Sequence, residues 1–210
     1  SFSRDGSQVA TASANRTRLW DTATGKELRQ FSHKGMVTAA ALSPDGTRLV
    51  TANKERGLFS FRQIAPSVRL WDANTGEELQ ALTGHTSDVH SACFSHDGRQ
   101  VLTGSDDKTA RLWDAATGRE LCRFEGHEDG VAAVALSADG RRLVTGSRDN
   151  MARLSDAATR KEVRRFAGHE SSIESVAFSP DGGQVLTGSF DASARLWDTV
   201  TADEVVRFVN

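Results

Sequence analysis

Two stretches of this chain set an imidazole, a hydroxyl, a carboxylate and an indole in the same order: His85, Thr103, Asp107 and Trp113, then His169, Thr187, Asp191 and Trp197. A third set, His127, Thr145 and Asp149, ends on Ser155 in place of tryptophan. A histidine beside an acid and a hydroxyl is the residue set of acyl transfer. The recurrence argues against that use. A reaction needs one such set, whereas a bond that braces a repeated unit is needed in every copy. The sets are therefore read as internal braces, which must be complete because a half-satisfied buried network is costly. Ser105 or Ser189, two residues on along the same strand face, would offer an equivalent hydroxyl. No metal site or cofactor is expected. The histidines lie about one unit apart and no Cys-x-x-Cys occurs. Thr187-Gly188-Ser189 lacks the Walker pattern and a following helix.

The elements that must position these groups recur with them. Asp-Gly appears at residues 5, 45, 97, 139 and 181. Arg-Leu-Trp-Asp begins at Arg18, Arg69, Arg111 and Arg195, with Arg153-Leu154-Ser155-Asp156 as an altered copy. Trp71, Trp113, Ser155 and Trp197 are spaced by 42 residues; Trp20 and Trp71 are 51 apart, a net insertion of nine. Each unit holds four short apolar runs, a to d. In the third unit they are 89–94, 100–104, 110–113 and 120–124. Asp-Gly between a and b is a strong hairpin signal. Four strands per unit predict one small antiparallel sheet, which buries both faces only by stacking on its neighbours. Cys93 on strand a and Cys122 on strand d then lie about 14 Å apart, too far for a disulfide.

The order Gly-His, Ser-Pro-Asp-Gly, Thr-Gly-Ser-x-Asp, Arg-Leu-Trp-Asp resembles the WD-repeat β-propeller family over essentially the whole chain, and its Ala- and Arg-rich wording resembles bacterial members. The resemblance implies an all-β propeller with five visible four-stranded blades, part of a larger ring of about seven. The expected blades are 1–31, with its first strand truncated, 33–82 with an insertion at 53–67, 85–124, 127–166 and 169–208. The competing reading is a closed five-blade ring. In an open array both end blades expose apolar faces, which invites self-association. Unit one has Thr11 and Trp20 but no histidine; unit two has His33 and Trp71 but no placed aspartate. Arg160 stands where Gly25, Gly76 and Gly118 stand, so its turn either changes type or accepts strain.

The resemblance also implies a function without catalysis: a protein-interaction scaffold or sensor, docking a protein or peptide, or other domains of its own polypeptide. The b–c and d–a turns share one end of each blade, the family's usual binding face. Met36, Asp88, Asp106, Arg148 and Phe190 are expected there, with Phe59 and Phe61 from the insertion. Phe190 replaces polar residues at its position, so it is read either as an exposed anchor or as folded onto a neighbouring blade. A small ligand or nucleic acid in the propeller mouth is the alternative. A formal charge of −2 makes nucleic acid the minor option. No apolar run approaches a membrane span, and two cysteines without a disulfide framework read as cytoplasmic.

Overall fold

The computed structural model describes residues 1–54 and 67–209; Phe59 and Phe61 lie outside the described residues. Within them the chain is all-β. The first sheet holds β1 (Gln8–Ser13), β2 (Arg16–Asp21) and β3 (Glu27–Ser32). The second holds β4 (Met36–Leu42), β5 (Arg48–Lys54), β6 (Ser67–Asp72) and β7 (Glu78–Ala81). The third holds β8 (Val89–Phe94), β9 (Gln100–Ser105), β10 (Ala110–Asp114) and β11 (Glu120–Phe124). The fourth holds β12 (Val131–Leu136), β13 (Arg142–Ser147), β14 (Ala152–Asp156) and β15 (Glu162–Phe166). The fifth holds β16 (Ile173–Phe178), β17 (Gln184–Ser189), β18 (Ser193–Asp198) and β19 (Glu204–Val209). All pairings are antiparallel between consecutive strands. The first sheet departs from four strands: its leading strand is a single bridge, Phe2 to Val9.

Turn chemistry sets the register. In each a–b hairpin the serine hydroxyl donates to the Asp of Asp-Gly, as Ser95 does to Asp97 at 2.6 Å, and Gly98 takes a positive φ of 70°. In each c–d turn the Asp of Arg-Leu-Trp-Asp accepts from the turn backbone, as Asp114 does from Thr117 N–H at 2.7 Å. Such short hydrogen-bonded turns hold that carboxyl below the usual aspartate range.

The core lies between the sheets. One apolar cluster takes Val50, Leu70 and Leu82 from the second sheet and Val89, Val101 and Trp113 from the third. Three further clusters fill the other seams in the same way. Close approach depends on small residues in strand b. A Cβ on Gly104 would come within 2.8 Å of Val131 and Val134, and one on Gly146 within 2.8 Å of Ile173 and Val176. The innermost strands contact in series β1, β4, β8, β12 and β16. No comparable contact joins β16 back to β1 among the described residues, so the array is open. The closed five-blade reading is set aside on that ground.

Candidate functional site

In the third, fourth and fifth sheets the recurring polar residues meet at one end. In the third, His85 sits in the d–a loop, Thr103 on β9, Asp107 in the b–c turn and Trp113 on β10. His85 Nδ1 lies 2.8 Å from Asp107 Oδ2 and Nε2 lies 2.7 Å from Thr103 Oγ1. Trp113 Nε1 donates to the same hydroxyl at 2.8 Å. With its proton on Nδ1, His85 donates to Asp107 and accepts from Thr103, so every polar hydrogen is used. The fifth sheet repeats this through His169, Thr187, Asp191 and Trp197 at 2.7 to 2.9 Å. In the fourth, His127 joins Asp149 and Thr145 at 2.8 and 2.7 Å. The hydroxyls are buried, and in the third and fifth sheets an indole covers one lone pair. The arrangement has triad-like distances with no room for a substrate at the hydroxyl.

Burial alone would push these carboxyls up. For Asp149 the hydrogen bonds from His127 and the Glu128 N–H outweigh it and lower the value to about 2. Asp107 and Asp191 are held well below the usual range by the same opposition, His85 and Thr109 acting on the first, Ser193 and His169 on the second.

One expectation needs correction. Ser105 and Ser189 do not stand in for threonine. Their hydroxyls donate to Ser87 and Ser171 carbonyls, pinning the d–a loop to the strand end. His33 does not join Thr51, which accepts from Trp71 at 2.8 Å. Without a turn aspartate to orient it, His33 Nε2 pairs with Thr17 of the first sheet at 3.0 Å. Burial holds His33 below the ordinary histidine value, with the Arg69 charge adding to the effect. Phe190 does not fold onto its neighbour: it is 74% exposed.

One brace was overlooked in the residue pattern. The Arg of each Arg-Leu-x-Asp pairs with a Glu nine residues on: Arg111 with Glu120 at 2.6 Å, Arg153 with Glu162 at 2.6 Å and Arg195 with Glu204 at 2.7 Å. Arg18 with Glu27 and Arg69 with Glu78 complete the series. The signal, an invariant +9 spacing in all five units, was present in the sequence.

The Ser155 unit differs at its seam. A Cβ on Gly84 or Gly168 would lie 3.2 or 3.3 Å from the indole edge of Trp113 or Trp197; on Gly126 it would meet only Arg153. Thr145 receives no indole N–H, and Phe124 is 8% exposed where Phe31, Leu82 and Phe166 are 3, 1 and 1%. The slot is therefore open. Ser155→Trp should raise stability by about 1–2 kcal/mol, the scale of burying one large apolar side chain. Urea unfolding reads this directly, and a clear loss would mean the seam has repacked.

Arg160 keeps the turn and accepts φ of 64°. Its use is visible at the same seam. Elsewhere a strand-d side chain reaches the next c–d turn: Arg29 donates to Thr75 O at 2.9 Å, Gln80 to Ala116 O at 3.2 Å and Arg164 to Val200 O at 2.7 Å. Cys122 cannot make that bond. Arg160 makes it in reverse, donating to Leu121 O at 3.2 Å. Both cysteines are free thiols.

Above the braces, the expected binding residues fall into two groups. Asp106 accepts from Arg148 of the next sheet at 2.6 Å and pairs with His90 at 2.8 Å. Asp88 pairs with Lys54 across another seam. These polar groups are engaged with one another. Met36, 55% exposed, and Phe190 are apolar and uncovered.

Stacked four-stranded sheets with a repeated His–Thr–Asp–Trp brace define a propeller-type repeat protein. The chain belongs to the WD40 family (WD domain, G-beta repeat), whose model matches residues 25–58, 76–114, 118–156 and 160–198. Over 110 residues, 51% of the chain, it is 32% identical to the Serine-threonine kinase receptor-associated protein of Mus musculus, covering 28% of that protein. Its counterpart in Dictyostelium discoideum is 33% identical over 95 residues, 45% of the chain and 29% of that protein. The Nuclear distribution protein PAC1 of Arthroderma benhamiae is 34% identical over 110 residues, 51% of the chain and 23% of that protein. The matched region thus spans less than a third of these relatives. Among the described residues no helix is long and apolar enough to cross a membrane.

Proposed function

We propose that the chain is a non-catalytic protein-interaction module, working in the cytoplasm, whose partner is a protein or peptide docking on the face of the b–c and d–a loops. The WD40 assignment supports the general role, as do relatives named for association with a receptor kinase and for nuclear distribution. The burial of the Thr51, Thr103, Thr145 and Thr187 hydroxyls supports the absence of catalysis.

Phe190 carries the choice of face. At the same turn position Lys54 and Arg148 bind acids of neighbouring sheets, and Asp106 receives such a bond. Phe190 makes no comparable contact, and an exposed ring of that size is a favoured anchor at interfaces. In this reading Phe190 and Met36 are anchors, and the Asp88, Asp106 and Arg148 ion pairs shape the rim between them. Phe190→Ala should leave the melting temperature unchanged and weaken partner capture about tenfold or more. Quantitative capture from a cell extract, with Arg99→Ala on the opposite face as control, distinguishes the two faces. Equal loss for both variants, or for neither, would reject this face.

A further inference from the structure

The seam between the third and fourth sheets keeps the lining of a tryptophan slot and lacks the tryptophan. In the other seams the indole is held from several sides. Phe31 faces Trp71 and Phe166 faces Trp197, with ring centroids 5.8 and 5.6 Å apart. The imidazoles of His85 and His169 stand edge-on to Trp113 and Trp197 at 6.0 and 6.2 Å. The Arg195 guanidinium lies over Trp197, 6.0 Å from its centroid. The N–H of each indole then donates to a strand-b hydroxyl, Trp71 to Thr51 and Trp113 to Thr103 at 2.8 Å, Trp197 to Thr187 at 2.9 Å.

Every one of these groups has its counterpart around Ser155. Phe124, His127, Thr145 and Arg153 take the places of Phe166, His169, Thr187 and Arg195. The register is the same: Thr145 opposes Arg153 and Leu143 opposes Ser155, as Thr187 opposes Arg195 and Val185 opposes Trp197. Arg153 also keeps the pose. Its Nη1 lies 2.8 Å from a Cβ built on Gly126, as that of Arg195 lies 2.6 Å from one built on Gly168. Among the described residues Arg153 has no ring beneath it. The slot is also reachable from solvent. The Arg153 side chain is 12% exposed where those of Arg111 and Arg195 are 4 and 7%. His127 and Asp149 are likewise more exposed than their counterparts. At the base, the buried Thr145 hydroxyl lies 2.7 Å from His127 Nε2, to which it donates, and no group among the described residues donates to its oxygen.

We propose that this slot binds a small planar aromatic molecule with one ring N–H, of the size of indole. The ring lies between Phe124 and the fourth sheet, with the Arg153 guanidinium over its face. Its N–H donates to Thr145 Oγ1 and supplies the donor that the missing tryptophan would have given. Ser155 keeps its Cβ, so the ring sits further from β14 than a covalent indole does. In this orientation C3 of the ring faces Ser155. Ser155 and β14 occupy the path that the side-chain carbons of a tryptophan would need, so the ligand is a free ring and not a residue of a docked protein. The site lies within a seam and is independent of the loop face proposed above.

An NMR titration of the chain with indole tests this. Binding should be saturable and one-to-one, with nuclear Overhauser contacts from the ligand to the Phe124 ring and the Thr145 methyl. Benzothiophene has the same shape without the N–H and should bind about tenfold more weakly, the effect of one hydrogen bond to an acceptor left unfilled. N-acetyltryptophanamide should not bind. Ser155→Trp fills the slot covalently and should abolish indole binding. Absence of saturable binding would overturn the proposal, as would contacts elsewhere on the chain, which mark an adventitious additive only. Equal affinity for benzothiophene, or undiminished binding to folded Ser155→Trp, would also overturn it. Binding of N-acetyltryptophanamide as tight as that of indole would reject a free ring in favour of a partner's tryptophan. If Ser155→Trp does not fold, the Overhauser contacts in the wild type decide alone.

Discussion

Replacing Trp113 with alanine should lower stability by about 3–5 kcal/mol, the range for removing a fully buried large aromatic. Trp113 is completely buried and sits in the cluster joining the second and third sheets. Its N–H holds the Thr103 hydroxyl at 2.8 Å, and its edge stands T-shaped to His85 with centroids 6.0 Å apart. The substitution opens a cavity at a seam and removes one donor from the brace. Trp20→Ala should cost clearly less, because Trp20 is only half-buried where Trp113 is fully buried. Urea midpoints of the two variants check the ordering. Equal losses would mean that seams contribute little and that each sheet is stabilised mainly from within.

The second large effect concerns acid. Asp107, Asp149 and Asp191 are braced as carboxylates in the folded chain and hold their protons less tightly than an ordinary aspartate, whose value is 3.8. A carboxyl depressed on folding stabilises the native state fully above the unfolded value. As pH falls, the unfolded chain takes up protons first, so the stabilisation drains away between about 4 and the folded value, which is about 2 for Asp149. Asp107→Asn cannot titrate and cannot accept as an anion from His85, Thr109 and the Thr86 N–H. It should cost about 3–5 kcal/mol at neutral pH, as breaking a buried ionic brace does. It should also flatten the loss of stability between pH 4 and 2, because one of three responsive groups is gone. Denaturation curves collected across that range read both effects.

Much of this was legible in the residues because repetition makes local signals mutually supporting. Asp97-Gly98, Thr117-Gly118 and the Arg111-to-Asp114 run each specify a turn or strand, and their fixed order specifies a sheet. The partners of His85, His127 and His169 followed from asking which groups recur together. What stayed hidden depends on where one sheet meets the next. His33 turns to Thr17 because its own sheet places no aspartate beside it, a choice decided across a seam. The use of Arg160 depends on Cys122, 38 positions earlier, which lacks the reach its counterparts have. The Arg148–Asp106 and Lys54–Asp88 pairs span 42 and 34 residues, beyond any local pattern. Ser105 was misassigned because sharing a strand face with Thr103 does not bring its hydroxyl to the same height.

Urea midpoints for Asp107→Asn, Asp149→Asn and Asp191→Asn at neutral pH give the most direct test of the repeated polar set as structural braces. All three should fall, and by comparable amounts, because each carboxylate closes the same bond in a different sheet. If one alone mattered while the other two left the midpoint untouched, the set would be a solitary site embedded among look-alikes, and the account given for this chain would fail.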